Sequence, residues 1–116
     1  MSVNIHPTAI VSDGASLGTD VTIGPYCTVG THVTIGDRVT LHSHVVIDGH
    51  TSLGAGGEVF PFAVLGCPPQ HTRYAGEEST LEIGTDCVIR EHVTMHPGTA
   101  IDSMRTRVGN NGLFLV

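Results

Sequence analysis

The chain has no Trp, no Lys and only two Tyr and three Phe among 116 residues. Charged residues reach 14%, well under the quarter usual in soluble domains. Each shortage excludes something. A coiled coil or helix bundle would be rich in Ala, Glu, Lys and Leu. A nucleic-acid binder would show a basic patch, whereas five Arg stand against eleven Asp and Glu for a formal charge of −6; no nucleic-acid partner is expected. No apolar run approaches the roughly 20 residues of a membrane span, so no span is expected either. The opening Met1-Ser2-Val3-Asn4 lacks the charged and apolar regions of a signal peptide, which makes a cytoplasmic location the expectation. Cys27, Cys67 and Cys87 are odd in number and not spaced like metal ligands, as expected of reduced thiols.

What is present is small and β-branched: fourteen Val, eight Ile, fourteen Thr and fifteen Gly. This hydrophobicity with so little charge argues against disorder, and the length fits one domain. A six-residue period runs through it. Stepping by six from Ile5 meets Val11, Leu17, Ile23, Val29, Ile35, Leu41, Ile47, Leu53, Val59 and Leu65. Two places before each aliphatic lies a mostly small or branched residue, such as Ala9, Cys27, Val45 or Ala63. Residues two apart share one face of a strand. Each hexad therefore predicts a short strand with two inward side chains, followed by a turn. Such a period is the mark of a parallel β-helix, all-β, with three hexads closing one triangular coil; about six coils are expected. A narrow interior also accounts for the scarcity of aromatics. No helix is expected.

The period breaks between Cys67 and Glu82, where two prolines, Gly and polar residues predict one protruding loop near residues 67–82. Long loops on rigid scaffolds are usual places for function. The period resumes at Ile83, Ile89, Met95 and Ile101, and Asp102 to Arg107 forms a second, shorter irregularity. Residues 1–116 read as a single β-helix segment. The chain stops in mid-pattern at Leu113-Phe114-Leu115-Val116 with no capping element, and solenoids normally cap their ends, so the expectation is the first part of a longer protein.

Several segments carry a more specific likeness. They are His6-Pro7-Thr8-Ala9-Ile10-Val11, Ile23-Gly24-Pro25-Tyr26-Cys27, His44 to Thr51, Gly66-Cys67-Pro68-Pro69-Gln70, Tyr74-Ala75-Gly76-Glu77 and Ile89 to Thr99 (IREHVTMHPGT). In this order the chain resembles the N-terminal half of the acyl-ACP:UDP-N-acetylglucosamine O-acyltransferases, which perform the first step of lipid A synthesis in Gram-negative bacteria. The resemblance implies a left-handed coil, a homotrimer with active sites between subunits, a C-terminal helical domain absent from residues 1–116, and no metal or organic cofactor. It implies transfer of a 3-hydroxyacyl group from acyl carrier protein to the sugar 3-hydroxyl of UDP-N-acetylglucosamine.

That chemistry needs a general base for the sugar hydroxyl, a role suited to His near neutral pH. It also needs a donor for the oxyanion. The resemblance puts the base beyond Val116, so no catalytic residue is expected in this segment. It places Gln70, His71, Arg73 and His96 at substrate contacts. Gln70 offers an amide donor and an acceptor. Arg73, where Lys is common, would pair with a diphosphate or hold a neighbouring subunit. His71 departs from the family's Asp; a neutral imidazole offers one donor and one acceptor where a carboxylate only accepts. That departure leaves open an acceptor with an amine in place of the 3-hydroxyl.

Other features have plainer readings. Eight His raise an alternative zinc enzyme like the γ-class carbonic anhydrases, with His32 and His50 stacking on successive coils about one strand spacing apart. A third convergent ligand is not evident from the sequence, and zinc needs one. Cys27 and Cys87 fall on inward positions and read as core filler. His92 reads as a surface residue, and Glu77, Glu78 and Glu82 as solvated. A third alternative, a non-catalytic solenoid scaffold, sits poorly with a loop that interrupts eleven regular hexads.

Overall fold

The computed structural model describes residues 3–66, 80–95 and 105–114, with only the backbone for 105–107. Sixteen short strands lie among these residues, and no helix. The first coils are built from β1 (Asn4–Ile5), β2 (Ile10–Val11), β3 (Ser16–Leu17), β4 (Thr22–Ile23), β5 (Thr28–Val29) and β6 (Thr34–Ile35). β7 (Thr40–Leu41), β8 (Val46–Ile47), β9 (His50–Leu53), β10 (Glu58–Val59) and β11 (Val64–Leu65) follow. β12 (Thr80–Ile83), β13 (Val88–Ile89), β14 (Thr94–Met95), β15 (Arg105–Val108) and β16 (Leu113–Phe114) complete the order.

Each strand pairs in parallel with the strand three further on, which generates three sheets. The first runs β1-β4-β7-β10-β13-β16; the second contains β2, β5, β8, β11 and β14; the third contains β3, β6, β9, β12 and β15. The chain is a left-handed parallel β-helix of triangular section, six coils deep on the first sheet and five on the others.

The period of six becomes the core directly. Ile23, Leu41, Val59 and Ile89 stack inward on the first sheet, Val29, Ile47 and Leu65 on the second, Ile35, Leu53 and Ile83 on the third. All are buried. The positions two residues earlier close the corners with Val21, Cys27, Val33, Val39, Val45, Ala63, Leu81, Cys87 and Val93. Burying one such aliphatic contributes about 1.5–3 kcal/mol relative to exposing it.

The corners solve a hydrogen-bonding problem. At the corner joining the third sheet to the first, Arg38, Gly56, Asp86 and Asn111 adopt left-handed backbone conformations with φ between 56° and 76°. Their N–H groups then donate to the coil before, onto Thr19 O, Asp37 O, Ala55 O and Thr85 O, each at 2.8 Å. No corner amide need be left unpaired. Side chains repeat the device: Asp37 Oδ1 accepts from Thr19 N at 2.8 Å and Asn110 Oδ1 from Thr85 N at 2.9 Å.

The two irregular segments are shorter than the sequence suggests. Thr80 to Glu82, the end of the expected loop, belong to β12, and Arg105 to Arg107 belong to β15. Both join a sheet already four residues wide at β9, with Thr80 pairing His50 and Arg105 in register. The polar sequence conceals this, because the extra strand length is stabilised by backbone pairing.

Candidate functional site at the second corner

The corner between the second and third sheets is where both irregular segments depart and return. One leaves after Leu65-Gly66 and re-enters at Thr80; the other leaves after Met95 and re-enters at Arg105. Leu65 pairs with Met95 and Thr80 with Arg105. The four anchor points therefore lie one coil apart at both ends. Gln70, His71, Arg73 and His96 all fall in these two segments, and so does Cys67; these five lie outside the described residues. The fold thus brings together the attachments of the segments that carry the four expected contacts.

The described part of this corner is tightly built. Thr51 is the one buried polar side chain among the described residues, 1% exposed, and its Oγ1 donates to Asp48 O at 2.7 Å. Asp48 Oδ1 accepts from Gly49 N at 2.8 Å. Gly66 has φ +81°, and a Cβ there would collide with Thr51 Oγ1 and Asp48 O. Glycine is thus required at the point where the first segment departs. On the rim, the rings of His32 and His50 stack at 4.4 Å with an interplanar angle of 12°, as the 18-residue spacing predicts. Imidazole lone pairs lie in the ring plane, so stacked rings present them side by side and not toward one ion. Among the described residues no three His, Cys, Asp or Glu groups converge as a metal site would.

A second constellation, at the corner between the first and second sheets, was not legible in the sequence. Tyr26, His44, Phe62 and His92 occupy the same corner position on four coils, with ring centroids 5.1, 5.0 and 5.3 Å apart in turn. His92, expected to be an isolated surface residue, ends this ladder. Beside it runs a shorter column in which His42 lies 4.6 Å from Phe60 and the Arg90 guanidinium lies 4.2 Å over the same ring. His42 Nε2 meets Glu58 Oε2 at 2.8 Å, and Arg90 Nε donates to Glu91 Oε1 at 2.9 Å. That hydrogen bond holds the Glu91 carboxyl below the usual range and raises the guanidinium further. Behind the columns, burial pushes the Cys27 thiol up; its Sγ donates to His42 O at 2.7 Å. Cys27 and Cys87 are both buried, in agreement with their reading as core filler. No helix among the described residues is long and apolar enough to cross a membrane.

Comparison with known proteins adds three findings. Residues 14–49 match the bacterial transferase hexapeptide (six repeats) family. Among curated relatives, the chain is 57% identical over 111 residues to the acyl-[acyl-carrier-protein]–UDP-N-acetylglucosamine O-acyltransferase of Azorhizobium caulinodans, covering 96% of this chain and 41% of that protein. It is 48% identical to the enzyme of the same name from Mesorhizobium japonicum, covering 99% of this chain and 41% of that one. Among solved structures, LpxA from Acinetobacter baumannii superposes with a TM-score of 0.92 at 48% identity, over 94% of this chain and 42% of that one. LpxA of Bacteroides fragilis, a UDP-N-acetylglucosamine acyltransferase, superposes with a TM-score of 0.91 at 41% identity, over 95% and 43%. The chain spans about two fifths of the length of the relatives it matches.

Proposed function

We infer that residues 1–116 form the N-terminal β-helical part of an acyl-ACP–UDP-N-acetylglucosamine O-acyltransferase, the enzyme class that opens lipid A synthesis. The observation that carries this reading is a likeness of 57% identity over 96% of the chain. It extends through the two irregular segments as well as the hexads, which by themselves mark only a fold. The described register supports it, since both segments are anchored at one corner.

The working enzyme is a homotrimer in the cytoplasm, and its substrates are UDP-N-acetylglucosamine and a 3-hydroxyacyl-acyl carrier protein. The segment described here contributes to the acceptor side. Gln70 presents an amide to the sugar, Arg73 a planar cation to the diphosphate, and His71 and His96 imidazoles to the sugar hydroxyls. The base lies outside residues 1–116. In the reaction the acceptor O–H loses its proton to that base while its oxygen attacks the thioester carbonyl. The C–S bond then breaks, and the proton passes to the departing carrier thiolate. Imidazole at position 71 keeps the acceptor preference open between a 3-hydroxyl and a 3-amine.

The test is acyl transfer by the complete enzyme, followed by mass spectrometry of the nucleotide product with both acceptors. Transfer to either sugar nucleotide supports the reading, and their ratio reports on His71. Absence of transfer to both, from a folded enzyme with a charged carrier protein, overturns it. Arg73→Ala in that enzyme is expected to raise the acceptor KM about tenfold or more, as the loss of a charge-assisted contact predicts.

A further inference from the structure

The turn beneath the first irregular segment is closed differently from its neighbours. At the same corner of the first two coils, the backbone amides of Ala15 and Val33 donate to Ser12 O and Gly30 O at 3.2 and 3.3 Å. In the third coil the equivalent carbonyl, Asp48 O, is taken by a side chain, the Thr51 hydroxyl, at 2.7 Å. Ala15, Val33, Thr51 and Leu81 fill the same inward position of the third sheet, and Thr51 is the polar one. A hydroxyl in an apolar stack is costly unless it is bonded. Val would fill the same volume, so what the oxygen adds is the bond.

The carbonyl held in this way faces the next coil at the point of departure. Asp48 N donates to Leu65 O at 2.9 Å, and Gly66 N donates to Met95 O at 2.8 Å. Gly66 lies against both Asp48 O and Thr51 Oγ1, too closely for any Cβ. Gly49, left-handed at φ +66°, lies against Gly66 O, and a Cβ there would collide with it. Gly66 is thus walled by the Asp48–Thr51 turn where the segment of Gln70, His71 and Arg73 departs. Met95 is the residue before His96. One chain of contacts, from Thr51 Oγ1 through Asp48 O and Gly66 to Met95 O, therefore joins the departure points of both segments.

We propose that Thr51 is a positioning residue of the acceptor site. Its hydroxyl fixes Asp48 O against Gly66 and so sets the direction in which the Gln70–Arg73 segment leaves the coil. Through the Gly66–Met95 bond it also sets the relation of that segment to the one carrying His96. The proposal rests on the acyltransferase reading above and adds to it a residue that acts through the backbone, being buried at 1% exposed. Two features select positioning over stability alone. The coils on either side close with Val33 and Leu81 at this position, so a coil needs no hydroxyl there to fold. The hydroxyl stands instead on the coil directly below the first departure. A small shift at such an anchor is carried to the contacts beyond it, and a misplacement of about 1 Å can cost about 100-fold in rate.

The test uses the complete protein as wild type, Thr51→Val, Thr51→Ser and Val39→Ala, with far-UV circular dichroism to establish folding. Thr51→Val keeps the shape and removes the donor; Thr51→Ser keeps the donor. Val39→Ala empties a buried position on the first sheet and controls for stability. One readout is acyl transfer with UDP-N-acetylglucosamine varied at saturating charged carrier protein. The other is hydrogen–deuterium exchange at the Gly66 amide, read by mass spectrometry. For Thr51→Val the expected results are an acceptor KM raised about fivefold or more, an unchanged carrier KM, and Gly66 exchange about tenfold or more faster. Thr51→Ser is expected to restore both, and Val39→Ala to leave the acceptor KM at the wild-type value. A folded Thr51→Val protein with wild-type acceptor KM or wild-type Gly66 exchange overturns the proposal. So does an equal rise in acceptor KM for Val39→Ala, because the effect would then follow stability. Should Thr51→Val fail to fold, Thr51→Ser against Thr51→Ala decides by the same two readouts. Absence of transfer by the folded wild-type protein overturns the functional reading instead, and the acceptor role of Thr51 falls with it.

Discussion

Replacing Gly66 with Ala is a small chemical change at a point where the structure leaves no room. The backbone there is left-handed at φ +81°, which costs an L-residue about 1–2 kcal/mol. The new methyl would also collide with Thr51 Oγ1 and Asp48 O, and these two atoms are joined by a 2.7 Å hydrogen bond. Pushing them apart costs a further 1–3 kcal/mol or so, because the Thr51 hydroxyl is buried and has no water to turn to. Together the loss is about 2–5 kcal/mol. Urea denaturation at fixed protein concentration measures it, with Gly109→Ala as the control. At Gly109 an added Cβ meets nothing within 4 Å, and a change within about 0.5 kcal/mol is expected. Adding Thr51→Ala to Gly66→Ala removes one obstacle and leaves the Asp48 carbonyl, so the double variant should recover less than half of the loss. A Gly66→Ala protein within about 0.5 kcal/mol of wild type would refute the reasoning. If the proposed function holds, the same substitution in the complete protein should raise the acceptor KM, because it displaces the anchor of the segment holding Gln70 and Arg73.

Ile47 is buried between Val29 and Leu65 in the inward stack of the second sheet, so Ile47→Ala should lower stability by about 2–5 kcal/mol in the same assay. Cys27 is buried with its thiol pushed up by desolvation. Native protein should therefore resist iodoacetamide at mildly alkaline pH, and denatured protein should react promptly; mass spectrometry of the alkylated peptide decides. A raised folded pKa contributes stability that is complete below the unfolded value and declines as pH rises through it. Cys27→Ala should accordingly flatten the loss of stability on the alkaline side of the thiol's ordinary value of 9.0.

The inward stack was legible because its signal repeats: an aliphatic every sixth residue, with a small partner two places before, leaves little choice of strand, turn or face. Cys27, Cys87 and the His32–His50 stack followed from the same period. The ladder was not legible because sequence reading assigns left-handed positions to Gly, Asn and Asp, whereas Tyr26, His44, Phe62 and His92 hold that conformation through contacts with neighbouring coils. An 18-residue step from Tyr26 through His44 to Phe62 could have found the first three rungs. The step to His92 is concealed by the intervening segment. Thr80 to Glu82 and Arg105 to Arg107 were misjudged for a related reason: their strand character comes from pairing with the coil before, Thr80 to Glu82 with His50 to Ser52 and Arg105 to Arg107 with Thr80 to Glu82, which local composition does not record. The four expected contacts rest on a resemblance of segments, since no period governs Gln70, His71, Arg73 or His96.

Coil length is free to vary while coil height is fixed. Ile47 and Leu65 are 18 residues apart in sequence, Leu65 and Met95 are 30 apart, and Ile83 and Val108 are 25 apart, yet each pair sits in the same adjacent register. A segment inserted at the second corner therefore shifts no rung of the ladder, no inward stack and no neighbouring coil. Such a prism can exchange one loop for another without rebuilding its interior. It also means that damage is local: a lesion in one coil is felt by the coils on either side and fades beyond them, as in any array held by nearest neighbours.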